Sequence, residues 1–275
     1  MSNSILITGC SSGIGLYCAQ ALHKRGYLVV ASCRKLEDVE RLKGLGLHCV
    51  QLDLACTQSI QKGLNEALII TNGRLDALFN NGAYGQPGAV EDLPTDALRQ
   101  QFEVNLFGWH ELTCQVIQVM RKQSSGRIIQ NSSVLGLVCL PYRGAYNASK
   151  FALEGLTDTL RMELKETKIQ ISLIEPGPIE SKFRVNALKA FINNIDIESS
   201  AHKKNYLAQQ QRLESQTKPQ PFTLGPEAVL KSLLHALESK RAKPRYYVTF
   251  PTYLFGYLKR ILSTRMLDKL LSKSK

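Results

Sequence analysis

The pattern of apolar and polar positions consists of short apolar runs separated by segments of helical length. The runs lie at residues 3–8, 27–32, 48–52, 75–79, 127–130 and 169–174, and a further run at 246–250 is typical of an edge strand. Between them, apolar residues recur at the intervals of amphipathic helices. Strands that alternate with helices imply right-handed crossovers and a parallel sheet, so the pattern predicts an α/β fold of about seven strands.

The chain is long enough for one large domain, and nothing in its composition divides it. It has 275 residues, of which 44% are hydrophobic and 21% are charged, as in globular proteins. No Pro-, Gly- or Ser-rich linker interrupts the sequence, so we predict a single domain over residues 1–275. Residues 181–225 lack strand signals and are rich in Asn, Gln, Lys and Ser, which indicates a substrate lid.

A glycine-rich turn follows the first predicted strand. Residues 8–15 read TGCSSGIG and lead directly into a segment with helical periodicity. Small residues let the backbone approach a ligand closely, and the N-terminus of a helix presents free N–H groups with partial positive charge. The turn is therefore a candidate phosphate cradle, although glycines in such a turn also serve packing.

The end of the second strand indicates which dinucleotide such a cradle would hold. In dinucleotide-binding folds an acid at this point bonds the adenosine ribose, whereas a basic residue accommodates a 2′-phosphate. The run 27–32 ends in Cys33, Arg34 and Lys35, without an acid. This favours NADP(H) over NAD(H), and the other interpretation is a solvated basic pair at a helix start. Asp53 follows the third strand and is predicted to lie at the same sheet edge.

Residues 127–150 bring together the candidate catalytic groups. The segment begins as a predicted strand that delivers Ser133 to a strand end, and Tyr146 precedes Lys150 by four places. On a helix that starts near Arg143, the last two share one face. An adjacent ammonium lowers the pKa of a tyrosine, so Tyr146 is a candidate proton donor and acceptor, with Ser133 holding a substrate oxygen. The same spacing also arises by chance on ordinary helices, and the glycine turn strengthens the functional interpretation.

Asn105 lies in a long helical pattern, residues 98–122, among apolar positions. A polar amide that faces a core needs hydrogen-bond partners. It is therefore either a structural bridge or part of a water relay.

Other residue types restrict the class of protein. The seven cysteines are an odd number without a Cys-x-x-Cys pair, which indicates reduced thiols and a cytoplasmic location. Residues 110–114 resemble half of a zinc motif, but no third ligand cluster accompanies them, so no metal site is expected. No apolar run approaches the ~18 residues of a membrane span, and the start of the chain lacks a signal-peptide pattern.

Positive charge is concentrated near the C-terminus. The formal net charge is +12, and residues 240–275 contain ten Lys or Arg against the single acid Asp268. Leucines recur there at helical intervals, so residues 252–275 form a predicted basic amphipathic helix. Such a helix either lies on an anionic membrane surface, at the inner face of the membrane, or packs onto the domain or a second subunit. No nucleic-acid partner is expected.

Taken together, these motifs resemble the classical short-chain dehydrogenase/reductase family. They are TGCSSGIG at 8–15, Asp53, the NNGA element at 80–83, Asn105, Ser133, YNASK at 146–150 and PGPI at 176–179, in the family's order. The segments SLIEPGPI and FTLGPEAV are similar to the bacterial YbbO-type reductases, near the retinol and hydroxysteroid dehydrogenase branch. The resemblance implies a Rossmann-type, doubly wound parallel sheet with helices on both faces.

The resemblance also implies roles for individual residues. Tyr146 gives a proton to a carbonyl oxygen, Ser133 orients that oxygen, Lys150 lowers the pKa of Tyr146 and holds the nicotinamide ribose, and Asn105 positions a water. The implied cofactor contacts are Gly9, Ser11, Gly13, Ile14, Gly15, Arg34, Asp53, Asn80, Tyr146, Lys150, Ile179 and Ser181.

Two departures from the family pattern affect the cofactor side. Gly82 and Ala83 stand in the order opposite to the family's Asn-Asn-Ala-Gly, and Ser181 stands where a threonine is usual. Gly82 and Ala83 are both small, so close approach of the backbone is still expected. Ser181 has a hydroxyl, as threonine does, and that hydroxyl is still expected near the nicotinamide carboxamide.

The sequence thus predicts an NADP(H)-dependent oxidoreductase that interconverts a carbonyl and an alcohol by hydride transfer. The apolar residues Phe183, Phe191, Ile192 and Phe222 in the lid favour an apolar aldehyde or ketone, unless the aromatic ones belong to the core. A homodimer or homotetramer through the long helices is implied by the resemblance. The alternative is a catalytically idle NADP(H)-binding sensor that docks on a membrane or partner.

Overall fold

Seven parallel strands form one sheet at the centre of the molecule. The computed structural model describes residues 3–214 and 221–272, with all side chains there except those of residues 209 and 212–214. The strands are β1 (Ser4–Ile7), β2 (Leu28–Cys33), β3 (His48–Gln51), β4 (Ala77–Asn80), β5 (Gly126–Asn131), β6 (Ile169–Glu175) and β7 (Arg245–Tyr247). Their order is β3-β2-β1-β4-β5-β6-β7, and every neighbouring pair is parallel. The predicted α/β sheet is confirmed, with the edge strand ending earlier than expected because Phe250 already begins a helix.

Helices cover both faces of the sheet. They are α1 (Gly13–Lys24), α2 (Leu36–Gly44), α3 (Thr57–Ile70), α4 (Thr95–Phe102), α5 (Gly108–Lys122), α6 (Gly144–Glu163), α7 (Phe183–Asn194), α8 (Lys203–Glu214), α9 (Glu227–Glu238), α10 (Phe250–Ile261) and α11 (Thr264–Leu271). One apolar core joins the sheet to α1, α2 and α9, and a second core joins it to α3, α5 and α6. The strands are buried on both faces, as their continuous Val, Ile and Leu runs predict. None of the described residues forms a helix long and apolar enough to cross a membrane.

The direction of strand order reverses between β1 and β4. Both strands lie at the centre of the sheet, with Ile5 opposite Ala77 and Ile7 opposite Phe79. In open parallel sheets the crevice for a ligand opens at the carboxyl ends of the strands at such a reversal. The glycine turn follows β1, so the topology places it at this crevice.

The long helical pattern around Asn105 is interrupted in the structure. A π-helical turn at Glu103–Phe107 separates α4 from α5, and Asn105 lies inside it. Such turns release a backbone group from the regular helical hydrogen bonds and are frequent at functional sites. The backbone of Asn105 therefore departs from regular α-helical geometry.

The predicted lid consists of α7 and α8, which are fastened to the loop after β4. Tyr206 donates from its hydroxyl to Asp92 Oδ2 at 2.5 Å and accepts from the Ala89 backbone N–H at 2.8 Å. Asn194 Nδ2 donates to Gln86 Oε1 at 2.7 Å. Part of the predicted lid, residues 215–220, lies outside the described residues.

The predicted C-terminal amphipathic helix is two helices, α10 and α11. Leu262 and Ser263 between them have extended backbone conformations, with ψ of 146° and 155°. Ser263 is the N-cap of α11, a position that serine favours. Residues 273–275 lie outside the described part of the chain.

Candidate active site

The glycine turn forms a close-fitting backbone cradle. Gly9 has a φ of 71°, and a Cβ there would lie 2.4 Å from Gly82 Cα. A Cβ at Gly15 would lie 2.4 Å from Gly9 O, so neither position accepts a larger residue without a shift. Helix α1 begins at Gly13 after an extended Ser12, whose side chain does not cap it, and no acid occupies its first turn. The described residues here fit an anionic phosphate group, which free N–H groups at a helix start would bind.

Two arginines lie beside the cradle at the end of β2. Arg34 is exposed, and its backbone carbonyl accepts a hydrogen bond from Gln51 Nε2 at 3.0 Å. Arg41, on α2, donates to the backbone oxygen of Ser11 at 2.7 Å and to Asp38 Oδ1 at 2.7 Å. The sequence motifs do not include Arg41, because only the folded chain brings α2 against the turn. Arg34 directly follows β2, and Arg41 brings a second guanidinium group against the glycine turn.

Ile14 lies on α1, Asp53 follows β3, and Ile179 and Ser181 follow β6. Asp53 accepts from the Ala55 N–H through Oδ1 at 3.0 Å, which fixes its carboxylate at the end of β3. Ile14 packs against the core beneath the turn. Ile179 forms an isolated parallel bridge with Leu224, and Ser181 Cβ lies 2.9 Å from where a Cβ on Gly13 would stand. The segment after β6 therefore reaches the glycine turn.

The structure places Asn80 in the sheet and Asn81 at the crevice. Asn80 is completely buried, and its Nδ2 donates to Thr113 Oγ1 and to Gln130 Oε1, both at 2.9 Å. The side chain of Asn81 donates to Thr8 O at 3.0 Å and accepts from Asn131 Nδ2 at 2.9 Å. Successive residues point to opposite faces at a strand end, so the backbone pleat decides which asparagine faces the crevice.

Ser133 and Tyr146 meet between the end of β5 and the start of α6. Ser133 Oγ accepts from the Leu135 N–H at 3.1 Å, and the Ser133 hydroxyl is close enough to the Tyr146 phenol to lower the pKa of that group. Helix α6 begins at Gly144, so Tyr146 lies in its first turn. The strand end and the helix start converge as the sequence predicts, and they bring a hydroxyl beside a phenol.

Lys150 lies one turn further along α6 and is completely buried. Its ammonium donates to Asn131 O at 2.9 Å and lies 4.2 Å from the centroid of the Trp109 ring. The same nitrogen lies 5.7 Å from the centroid of the Tyr146 ring. An aromatic face and a carbonyl oxygen thus hold a cation next to the phenol.

Burial changes the proton affinities of this pair in opposite directions. Burial raises the pKa of Tyr146 to about 12, against a smaller lowering by Ser133 and Arg143. Burial also lowers the pKa of Lys150 to about 7, although Glu154 favours the charged form. The spacing of Tyr146 and Lys150 predicts that the lysine lowers the pKa of the tyrosine, whereas in the structure desolvation is the largest effect on both groups. At neutral pH Tyr146 therefore holds its proton and is a donor.

Asn105 bonds the backbone of the loop after β4. Its Nδ2 donates to Tyr84 O at 2.8 Å, and its Oδ1 accepts from the Tyr84 N–H at 3.2 Å. Its amide also lies 3.5 Å from Ser149 Oγ, on the helix that carries Lys150. The side chain is therefore a structural bridge between the π-helical turn and the loop after β4.

Phe183 covers Tyr146 from the lid. The two rings meet edge to face with centroids 5.3 Å apart. On its other side, Phe183 Cζ would lie 2.7 Å from a Cβ placed on Gly85. The ring is wedged between the loop after β4 and the phenol, so an apolar wall borders the place where a substrate carbonyl would meet Tyr146.

Comparison with known proteins identifies relatives over the whole length of the chain. The profile of the short chain dehydrogenase family matches residues 3–191. The chain is 41% identical over 271 residues to an uncharacterized oxidoreductase, YbbO, of Escherichia coli K12, covering 98% of this chain and 94% of the relative. It is 32% identical over 260 residues to human 17-beta-hydroxysteroid dehydrogenase type 1, covering 89% of this chain and 77% of that protein.

Solved structures show the same architecture with dinucleotides. A short chain dehydrogenase/reductase of Burkholderia phymatum in complex with NAD superposes with a TM-score of 0.78, at 24% identity and 100% and 96% coverage of the two chains. A variant of an actinorhodin polyketide ketoreductase with NADPH superposes with a TM-score of 0.73, at 25% identity and 90% and 95% coverage.

Proposed function

Because the chain belongs to the short chain dehydrogenase family and is an oxidoreductase of that family, we propose that it interconverts an apolar aldehyde or ketone and the matching alcohol with NADP(H). The observation that carries the proposal is the gathering of Ser133, Tyr146 and Lys150 at the mouth of a crevice that begins in a glycine cradle. Ser133 lies at a strand end, thirteen residues before Tyr146, and Tyr146 precedes Lys150 by four residues on α6.

Each residue of the site has a separate role in the proposed reaction. When bound, the dinucleotide supplies the hydride to the carbonyl carbon. Tyr146 donates its proton to the carbonyl oxygen, and the Ser133 hydroxyl orients that oxygen. The Lys150 ammonium stabilises the phenolate that remains, because an adjacent cation favours the charged form. Asn105 holds the loop at Tyr84 and offers the backbone through which a water would connect Lys150 to solvent.

The preference for NADP(H) rests on Arg34 and Arg41. Two guanidinium groups favour a phosphate on the adenosine ribose, since arginine binds phosphate with several donors at once. Asp53 follows β3, the strand next to β2, and would contact the adenine. Gly9, Ser11, Gly13, Ile14 and Gly15 would hold the diphosphate, and Ile179 and Ser181 the nicotinamide end.

The apolar substrate class rests on the wall beside Tyr146. Phe183 borders the phenol, and the human relative is by name a hydroxysteroid dehydrogenase. Phe191 belongs to the small core under the lid rather than to this wall. An aliphatic or ring-containing carbonyl compound would bury its apolar surface against Phe183.

The proposal is tested by following the loss of NADPH absorbance with a panel of medium-chain aldehydes and ketones. Wild-type protein should turn over members of the panel, and Tyr146→Phe should lose at least about a hundredfold in kcat, the size of general acid catalysis, while it still binds NADPH. The matched control is Tyr253→Phe, which removes an exposed hydroxyl of α10. NADPH binding by wild-type protein without turnover of any member would favour the sensor alternative.

We propose a homodimer or homotetramer that forms through α5 and α6. Helix α6 exposes Leu156 and Met162, the latter 66% exposed, and Phe107 is exposed just before α5. Met162→Glu should lower the mass measured by light scattering, because a charge there would be buried in the contact. The same mass as wild type would remove this face as the interface.

The two C-terminal helices support a second site of contact, with an anionic membrane. Tyr257 and Ile261 are 58% and 77% exposed, and Lys259 and Arg260 lie between them in sequence. Exposed apolar side chains flanked by cations suit the interface of an anionic bilayer. The protein would then be cytoplasmic and peripheral at the inner membrane face, and its free thiols fit a reducing compartment.

Co-sedimentation with vesicles tests this contact. Wild-type protein should pellet with phosphatidylserine-containing vesicles and not with phosphatidylcholine alone, and Ile261→Glu should abolish pelleting. Ile192→Glu, on the lid, is the matched control because Ile192 is similarly exposed. Equal pelleting of Ile261→Glu and wild type would refute the contact.

A further inference from the structure

A buried cluster of charges lies behind the catalytic lysine. Glu154, one helical turn after Lys150 on α6, is ion-paired through Oε2 to the guanidinium of Arg245 at 2.8 Å. Arg245 belongs to the edge strand β7, and it also lies 2.8 Å from Asp158 Oδ2 and 3.1 Å from Glu175 Oε1. Ionisable side chains from three elements, α6, β6 and β7, thus meet at Arg245.

Burying these carboxyl groups is costly unless other groups compensate. Glu175 is completely buried, and burial together with the neighbouring Glu154 raises its pKa, so it is neutral at physiological pH. Burial also raises the pKa of Glu154, but Ser132 and Arg245 oppose this. Glu154 is therefore the member that carries negative charge next to α6, with Glu175 as its protonated neighbour.

The cluster lies beside the loop that carries Ser133, and Glu154 is one helical turn from Lys150 on α6. A Cβ on Gly136 would lie 2.8 Å from Ser132 Oγ and 3.0 Å from Glu154 Oε1, so the carboxyl group lies directly under the loop that carries Ser133. On the same face of α6, Lys150 is held by a carbonyl oxygen and an aromatic ring, which are both uncharged. Glu154 is the carboxylate that acts on the Lys150 ammonium.

We propose that Glu154, held in place by Arg245, is a positioning residue that keeps Lys150 charged and directed at the active site. Residues four apart on a helix are neighbours, so the carboxylate supplies the field that a buried ammonium needs. The ion pair with Arg245 fixes the direction of the Glu154 carboxylate. The ammonium thus keeps its place beneath Tyr146.

Other ionisable groups surround the cluster of Glu154, Glu175 and Arg245. Asp158 shares Arg245 with Glu154 and also pairs with Arg161 on the next turn, at 2.5 Å. Tyr247, on β7, lies close enough to interact with Glu175 and with Arg260 of α10. These groups lie farther along α6 or at the sheet edge, so Glu154 is the carboxylate nearest to the lysine along the helix.

The inference rests on the proposed function for its consequence, because a neutral Lys150 would no longer favour the phenolate of Tyr146. It is tested without any substrate. The titration of Lys150 is followed by NMR of protein with isotope-labelled lysine, and Lys150→Arg identifies the signal. In Glu154→Gln the pKa of Lys150 should fall by about one to two units. In Glu163→Gln, an exposed glutamate of the same helix, it should stay unchanged.

A second measurement separates positioning from general stability. The alkaline limb of the kcat/KM profile for carbonyl reduction should move to lower pH in Glu154→Gln, and Glu154→Asp, which keeps the charge, should restore most of the shift. If Glu154→Gln does not fold, Glu154→Asp is titrated instead, and it should lower the pKa of Lys150 by a smaller amount.

The outcomes are distinguishable from failure of the proposed function. An unchanged Lys150 titration in all these folded variants overturns the positioning role, even if the enzyme reduces carbonyls. A shifted titration in a protein that reduces none supports the positioning role and removes the proposed reaction.

Discussion

At the scale of single residues, desolvation sets the protonation states that the chemistry begins from. Tyr146 and Lys150 have similar proton affinities in water, yet burial raises the pKa of the tyrosine to about 12 and lowers that of the lysine to about 7. The phenol thus holds its proton more strongly than the ammonium does. This order suits the reduction of a carbonyl, for which Tyr146 has to begin as a proton donor.

Arg34 is the residue whose removal should separate the two dinucleotides. We expect Arg34→Ala to weaken NADPH binding about ten- to a hundredfold, because hydrogen bonds to charged groups contribute ~1.5–3 kcal/mol. Binding of NADH should change little, and Lys35→Ala should leave both affinities unchanged, since Lys35 is ion-paired to Glu37 at 2.9 Å. Fluorescence titration measures all four affinities. An equal loss for NADH and NADPH would show that Arg34 serves the fold instead of the 2′-phosphate.

At the scale of elements, the crevice depends on how closely two strand ends approach. The turn after β1 and the loop after β4 touch at Gly9 and Gly82, and Thr8 Oγ1 accepts from the Asn81 and Gly82 N–H groups at 2.8 and 2.9 Å. Gly82 stands where the family usually has alanine. The exchange of Gly and Ala in this element therefore gives the turn more room at its tightest contact.

Gly15→Ala should damage this cradle. Its added Cβ would lie 2.4 Å from Gly9 O, so the start of α1 has to move away from the turn. We expect NADPH affinity to fall by at least about tenfold, since such overpacking costs ~1–3 kcal/mol. Gly44→Ala is the matched control, because a Cβ there would meet no atom within 4 Å. Calorimetric titration of both variants checks the expectation, and wild-type affinity in Gly15→Ala would contradict it.

The elements that the sequence predicted are those with local signals. Strand ends, the glycine turn and the Tyr146–Lys150 helix follow from periodicity and spacing within short windows. The sequence did not show which of Asn80 and Asn81 faces the crevice, because one step of the pleat decides it. Nor could it link Glu154 to Arg245, which are 91 residues apart and are joined only by the order of the strands.

At the scale of the whole molecule, a buried carboxyl group near the sheet edge makes the free energy of unfolding depend on pH. Glu175 ends β6 and is completely buried beside Glu154 and Arg245. Its pKa is raised in the folded state, so the folded protein holds a proton that the unfolded chain has lost above the ordinary value of 4.5. Unfolding then releases a proton, and this group lowers stability as the pH rises above that value.

Glu175→Gln should remove this pH dependence, because a glutamine amide resembles the protonated carboxyl group. The variant should match wild type near pH ~4 and exceed it by a few kcal/mol near pH ~8, as expected for a strongly raised carboxyl pKa. Urea unfolding at both pH values measures the difference. Glu166→Gln, an exposed glutamate, should show no such trend. A Glu175→Gln variant that loses stability equally at both pH values would mean that Glu175 is ionised in the fold.

The reach of Arg245 into α6 matters for anyone who recombines this protein with a relative. The family profile ends at residue 191, so a designer would treat everything beyond it as an exchangeable tail for altering substrate choice. That tail includes the arginine under the helix that carries Tyr146 and Lys150. A chimera should therefore be joined after Thr249, which keeps β7 with its own sheet and exchanges only the two terminal helices.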